Sequence, residues 1–175
     1  MKILHAGCGG DKLPREFFGF PADAEEIRLD IDDTFKPDIL GSITDMGDIG
    51  PFDAAYTSHT LEHLYPYDVP KALDEFLRVL RPGGHVICIV PDLEGVQPNE
   101  DVVYVCGDGG YEITGLHMFY GDPKLIQQYP YMAHHCGFVS ATLEKAFVAA
   151  GFTAVRVIRI PTIHSLMAVA VKGLQ

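Results

Sequence analysis

Short apolar runs bounded by turn residues recur along the chain: KILHAG (2–7), EIRLDI (26–31), DILGSI (38–43), FDAAYTS (52–58) and HVICIVP (85–91). Continuous apolarity over so few positions predicts strands buried on both faces, as in a parallel sheet covered by helices. Between the fourth and fifth runs the period changes. Val69, Leu73, Phe76, Leu77 and Leu80 recur at helical spacing, and Pro82-Gly83-Gly84 cannot continue that helix, so a helix followed by a turn is predicted there. A second amphipathic stretch occupies 140–150, with Ser140 as its cap, Leu143, Ala146, Phe147 and Ala150 on one stripe, and Gly151 at its end. Only a short helix fits at 11–18, between Pro14 and the cluster Gly19-Phe20-Pro21. AVRVIRI (154–160) and SLMAVAVKG (165–173) close the chain, and the connection 161–164 is too short for a parallel crossover, so these two are antiparallel. The alternation implies an α/β fold: a Rossmann-like, doubly wound, mostly parallel sheet with an antiparallel last strand.

In a sheet of this kind ligands bind outside the carboxyl ends of the strands, so the residues that end each run carry the candidate chemistry. The first run ends in LHAGCGG (4–10). Gly7, Gly9 and Gly10 carry no side chain and let the backbone approach a ligand closely. The next run ends in LDID (29–32), which puts Asp30 about 20 positions beyond those glycines, where an acid grips ribose hydroxyls. The two together predict an adenosine-type cofactor. Later tips supply Ser42 and Asp45, then Ser58 and His59 followed by Glu62 and His63, then Asp92 and Glu94.

The succession GCG, LDID, LEHL, a helix ending RVLRPGG and a strand ending PD resembles the class I S-adenosylmethionine-dependent methyltransferases, most of all the small type 11-like domains. The resemblance covers about residues 2–92 and again GFVSATLEKAFVAAGF (137–152). It implies S-adenosylmethionine as cofactor, with His5, Gly7, Cys8, Gly9 and Gly10 under its methionine part and Asp30, beside Ile31, at the ribose. Asp32 is a loop acid. Ser42 and the backbone around Ile43 face the adenine, for which Asp45 is the other choice, and Ser58 and His59 form the tip of the fourth strand. Asp92 and Glu94 fall near the transferred methyl group. Superfamily members commonly carry an acid where His5 stands, and the helices that usually precede their first strand have no counterpart here.

Residues 95–136 are too long for a simple crossover and too rich in Gly and Tyr for continuous helix. They read as a lid or substrate-binding insertion, the alternative being a packed surface loop or an oligomer contact. For an oxygen or nitrogen acceptor His117, His134 or His135 serves as the base, and the residues do not choose among them. No metal is expected. HTLEH (59–63) is not the HExxH of metalloproteases, and those histidines with Cys136 lack zinc-ligand spacing.

Composition narrows the partners. A chain of 175 residues with 47% apolar content fits a single domain spanning 1–175. Thirteen basic against 24 acidic residues give a net charge of −11, which repels nucleic acid and favours a small-molecule substrate. No run approaches the roughly 20 apolar residues of a membrane span. Cys8, Cys88, Cys106 and Cys136 show no C-x-x-C spacing, so the expectation is reduced thiols and a cytoplasmic protein. Tyr67 and Lys71 match the Y-x-x-x-K of nicotinamide-dependent oxidoreductases, but Pro70 breaks the helix that motif requires. A noncatalytic cofactor-binding or partner protein on the same fold is the remaining alternative. Oligomeric state is not legible.

Overall fold

The computed structural model describes residues 1–107 and 110–174. Its elements are β1 (Lys2–Ala6), α1 (Arg15–Phe18), β2 (Glu25–Asp30), β3 (Ile39–Leu40), β4 (Phe52–Ser58), α2 (Val69–Val79), β5 (Leu80–Pro91), β6 (Val102–Cys106), β7 (Tyr111–Thr114), α3 (Gly115–Tyr120), α4 (Pro123–Gln128), α5 (Ser140–Ala149), β8 (Thr153–Ile160) and β9 (Ser165–Val171). Seven strands form one sheet in the order β3-β2-β1-β4-β5-β9-β8. β1 runs parallel to β2 and β4, as do β2 to β3 and β4 to β5, whereas β9 is antiparallel to β5 and β8. The chain thus reverses at β1, going outward to β2 and β3 and then back across to β4. That places the carboxyl ends of β1 and β4 side by side at the switch point where ligands bind.

Strand alternation sorts the core onto two faces. Leu4, Ala55, Val86, Cys88 and Val90 meet α2 through Leu73 and Phe76 and α5 through Leu143 and Phe147, all buried. Ile3, Ala54, Tyr56, Ile87 and Ile89 face the other way, covered by Leu13, Phe20 and Ala24 from the connection around α1. Each face therefore takes its cover from a different stretch of sequence, and α1 is one turn long where a crossover helix would stand.

Three local expectations are corrected. The third strand is two residues, not six, because the chain turns back on itself beyond Gly41, with Asp45 N donating to Ser42 O at 3.1 Å. The Pro82-Gly83-Gly84 stretch is not a turn outside the sheet. It forms the bulged start of β5, where Leu80 pairs with Phe52 and the register resumes at His85 with Ala54. The residue before a proline favours extended backbone, so the helix stops at Val79 and Arg81 is already in the strand. A Cβ on Gly84 would lie 3.0 Å from the carbonyl oxygens of Arg81 and Asp53, which reserves that bulge for glycine. At α5, Ser140 is a helical residue and makes no cap bond. Thr142 Oγ1 instead accepts from Val139 N at 3.0 Å.

The segment 95–136 contains the antiparallel hairpin β6–β7, then α3 and α4. Thr114 starts α3 with a reciprocal cap: Thr114 Oγ1 accepts from His117 N, and His117 Nδ1 accepts from Thr114 N, each at 3.3 Å. The segment rejoins the sheet where Phe138 bridges Asp92.

Candidate functional site

The carboxyl ends of β1, β2, β3 and β4 open into one cavity of about 390 Å³, a volume suited to a small ligand. From β1 the wall takes Gly7, Cys8 and Gly9; from β2, Asp30 and Ile31; from β3, Ser42 and Ile43; from β4, Ser58 and His59.

The turn after β1 is shaped by backbone. Gly7 and Gly9 sit at φ 64° and 47°, in the left-handed region that glycine tolerates. Gly7 N and Cys8 N both donate to Leu29 O, at 2.8 and 3.2 Å, stapling the turn to β2. A Cβ on Gly7 would collide with the Thr60 side chain. Burial pushes the Cys8 thiol up to about 11, so it stays neutral in the wall.

Asp30 is 7% exposed at the end of β2. Its Oδ2 accepts from Gly9 N at 2.7 Å and its Oδ1 from Asp32 N at 3.0 Å. Each oxygen spends one lone pair on an amide and keeps another for a donor in the cavity, such as a hydroxyl. Arg28 stands behind the same turn, donating from Nη2 to Gly9 O at 2.5 Å and from Nη1 to Phe35 O at 3.2 Å. Arg28 was not singled out from the sequence, although its place two residues before Asp30 puts both on one face of β2.

At the third tip Ile43 is buried and Ser42 Oγ accepts from Thr44 N at 3.1 Å. Asp45 lies outside the wall, exposed, with Oδ1 accepting from Gly47 N at 3.3 Å. At the fourth tip His59 adopts φ 50°. Its N donates to Ile89 O at 2.8 Å, and its Nδ1 lies 3.2 Å from Glu62 Oε1. Burial pulls the His59 imidazole down, but the bond to Glu62 and that carboxylate's charge outweigh it and leave His59 above its usual value. Burial pushes Glu62 up, and the His59 bond with the charges of His59 and His63 outweighs it, leaving Glu62 below the ordinary carboxylate value.

Leu125, Tyr129, Tyr131 and Met132 of the 95–136 segment complete the outer wall. The Tyr131 hydroxyl donates to Asp32 Oδ2, while Asp32 Oδ1 accepts from Thr34 N and Oγ1 at 2.9 and 2.6 Å. Asp32 thus ties the segment to the tip of β2. These bonds hold the Asp32 carboxyl below its usual value, Thr34 contributing most.

Other residues singled out from the sequence stand away from the cavity. Alternation along β1 turns the buried His5 to the far face, where Nδ1 lies 2.8 Å from Glu26 Oε1 and the ring packs edge-on against Tyr56. Gly10 has left the wall and faces the Phe35 ring. His117 is occupied by its cap, with its ring over Tyr111. His135 is exposed and stacks on Tyr65 at 4.2 Å between ring centroids. His134 turns inward, Nδ1 2.9 Å from Met118 O, and meets His63 with ring centroids 5.0 Å apart. None of these three histidines lines the cavity, whereas His59 and His63 do. Asp92 and Glu94 are drawn to Arg159 on β8 rather than to the cavity, Asp92 Oδ2 lying 3.2 Å from its Nε. Among the described residues all four cysteines are free, and no helix is long and apolar enough to cross a membrane.

The family described as "Methyltransferase domain" matches residues 1–157. No curated protein matches the chain. Among solved structures, the Burkholderia thailandensis 1,6-didemethyltoxoflavin-N1-methyltransferase, with 1,6-didemethyltoxoflavin and S-adenosylhomocysteine bound, superposes with a TM-score of 0.63. It is 17% identical, over 98% of this chain and 71% of that one. Human N-acetylserotonin methyltransferase in complex with S-adenosylmethionine gives 0.64 at 14% identity, over 98% of this chain and 47% of that one. An S-adenosylmethionine-dependent methyltransferase from Mesorhizobium loti gives 0.63 at 17% identity, over 98% and 90%. The chain spans about half the length of the human enzyme and of a Nostoc punctiforme structure, 47% and 51%. Likeness at such identity carries the fold; the family match adds membership. With the β1 glycine turn, the buried acid ending β2 and the antiparallel β9, the chain belongs to the methyltransferase domain family, within the class I superfamily whose cofactor is S-adenosylmethionine.

Proposed function

We propose that this chain binds S-adenosylmethionine in the cavity at the ends of β1–β4 and transfers its methyl group to a small-molecule acceptor. The observation that carries the reading is the Asp30 carboxylate, buried beside the glycine turn with one free lone pair on each oxygen. A ribose presents two adjacent hydroxyls to such a carboxylate. The residues present fit the cofactor: Gly9 brings bare backbone to the wall with open space where a Cβ would stand, and Ile31 and Ile43 offer apolar surface to a purine.

The cofactor supplies an already activated methyl group, so the chain's task is to align the acceptor and exclude water. The 95–136 segment serves as the lid, since Leu125, Tyr129, Tyr131 and Met132 form the outer wall. If the acceptor carries a proton, His59 is the imidazole in the wall with a nitrogen left to take it, ahead of His117, His134 and His135. The size and apolar lining of the cavity support a small molecule, and the charge of −11 weighs against a polyanion.

Calorimetry tests the reading. S-adenosylhomocysteine is expected to bind at one site per chain and NAD not at all; tight NAD binding with silent S-adenosylhomocysteine would sink it. Labelled cofactor and a panel of hydroxyl, amine and thiol acceptors then identify the acceptor, and cofactor binding without transfer to any would favour a noncatalytic binder. The lid has its own test. Tyr131→Phe removes the bond to Asp32, and because that bond is near the surface the expected loss in S-adenosylhomocysteine affinity is about two- to tenfold, mostly as faster dissociation. A dissociation rate equal to wild type in stopped flow would show that the segment does not close the cavity.

A further inference from the structure

The geometry points to a divalent transition-metal site formed by Glu62, His63 and His134. One ligand atom from each of these residues lies within 4.8 Å of the others. Bonds of about 2.0–2.2 Å to one ion place ligand atoms roughly 3–4 Å apart, so side-chain adjustments of about 1–2 Å complete the set.

The surroundings of each ligand fit that role. Glu62 is 1% exposed on the turn after β4. Its Oε1 lies 3.2 Å from His59 Nδ1, but its Oε2 is buried with no hydrogen-bond partner among the described residues. A buried, unsatisfied carboxylate oxygen is costly, and a cation relieves it. His63 Nδ1 lies 3.2 Å from Ala133 O, and His134 Nδ1 lies 2.9 Å from Met118 O. A carbonyl only accepts, so both rings carry their proton on Nδ1 and leave Nε2 as the lone-pair atom. Metal-bound imidazoles are held in this way, their second nitrogen donating to a carbonyl that fixes tautomer and ring orientation. His59 does the same for the carboxylate.

Two imidazoles and one carboxylate suit Zn²⁺, Fe²⁺ or Co²⁺ better than Mg²⁺ or Ca²⁺, which prefer all-oxygen shells. Three protein ligands leave a further position for water or an exogenous donor. His63 also lines the cavity, so the ion stands at its wall. This step rests on the methyl-transfer reading: an acceptor oxygen in that position would have its pKa lowered by the ion. The site also has a structural consequence. Glu62 and His63 lie on the turn after β4 and His134 in the 95–136 segment, so an ion clamps the two together.

The test uses the full chain, stripped with chelator and titrated with Co²⁺ by visible absorption and with Zn²⁺ by calorimetry. One ion per chain is expected, at micromolar or tighter affinity, with raised thermal stability when loaded. Glu62→Gln and His134→Ala should each weaken binding at least tenfold, while His135→Ala, which removes the neighbouring exposed imidazole, should not. If Glu62→Gln fails to fold, His134→Ala carries the test. Absent or substoichiometric binding to the wild-type chain, or undiminished binding in His134→Ala, overturns the site. S-adenosylhomocysteine affinity, measured separately on the stripped chain, reports on the methyl-transfer reading whatever the metal result.

Discussion

Asp30→Asn is expected to weaken S-adenosylhomocysteine binding about 30- to 100-fold, because charge-assisted bonds to two hydroxyls contribute on the order of 2–3 kcal/mol and each 1.4 kcal/mol is tenfold. Asparagine is the informative substitution. Its oxygen can still accept from Gly9 N, so the glycine turn keeps its tie, while its NH₂ faces the Asp32 amide donor and one ribose bond loses its acceptor. Asp30→Ala removes the Gly9 bond as well, so its larger loss mixes ligand contact with a loosened turn. The measurement is calorimetry with S-adenosylhomocysteine beside a thermal melt. A folded Asp30→Asn variant with affinity within threefold of wild type would place the ribose contact elsewhere.

What was legible in the sequence is what depends on near neighbours. Continuous apolar runs located β1, β4 and the body of β5, because a strand buried on both faces leaves few polar positions. The short link before β9 settled its direction, since a parallel crossover needs many more residues. Gly7 and Asp30 stood out because positive φ and a buried acid are requirements of single residues. The misreadings have a common source in contacts between distant segments. Pro82-Gly83-Gly84 has turn composition, and only pairing with Phe52 and Ala54 makes it strand. His5 follows the alternation of β1 to the far face, where Glu26 awaits it. Tyr131 and Asp32 are 99 residues apart, and His63 meets the Ala133 carbonyl from 70 residues away. No local pattern announces such pairs. The same holds for Glu62 and His134, 72 positions apart along the chain and neighbours only in the fold.

Gly7→Ala is expected to cost about 2–5 kcal/mol of stability, which in a domain of this size lowers Tm by on the order of 5–20 °C. Two terms contribute. The residue sits at φ 64°, where an L side chain costs roughly 1–2 kcal/mol. The new Cβ also runs into Thr60, whose Oγ1 donates to Ser58 O at 3.1 Å and cannot retreat without breaking that bond, an overpacking cost of about 1–3 kcal/mol. The terms separate in a double-mutant cycle with Thr60→Gly, which empties the space the methyl needs but leaves φ unchanged. The double variant should be more stable than the two single losses added together by about 1–3 kcal/mol. Strict additivity in denaturant melts would mean that backbone conformation alone excludes a side chain at position 7. The cycle read through S-adenosylhomocysteine affinity carries the test to function, because Thr60 lines the same cavity beside the turn proposed to hold the cofactor. If close approach of Thr60 sets the height of that turn, Thr60→Gly restores part of the affinity lost in Gly7→Ala, not its stability alone.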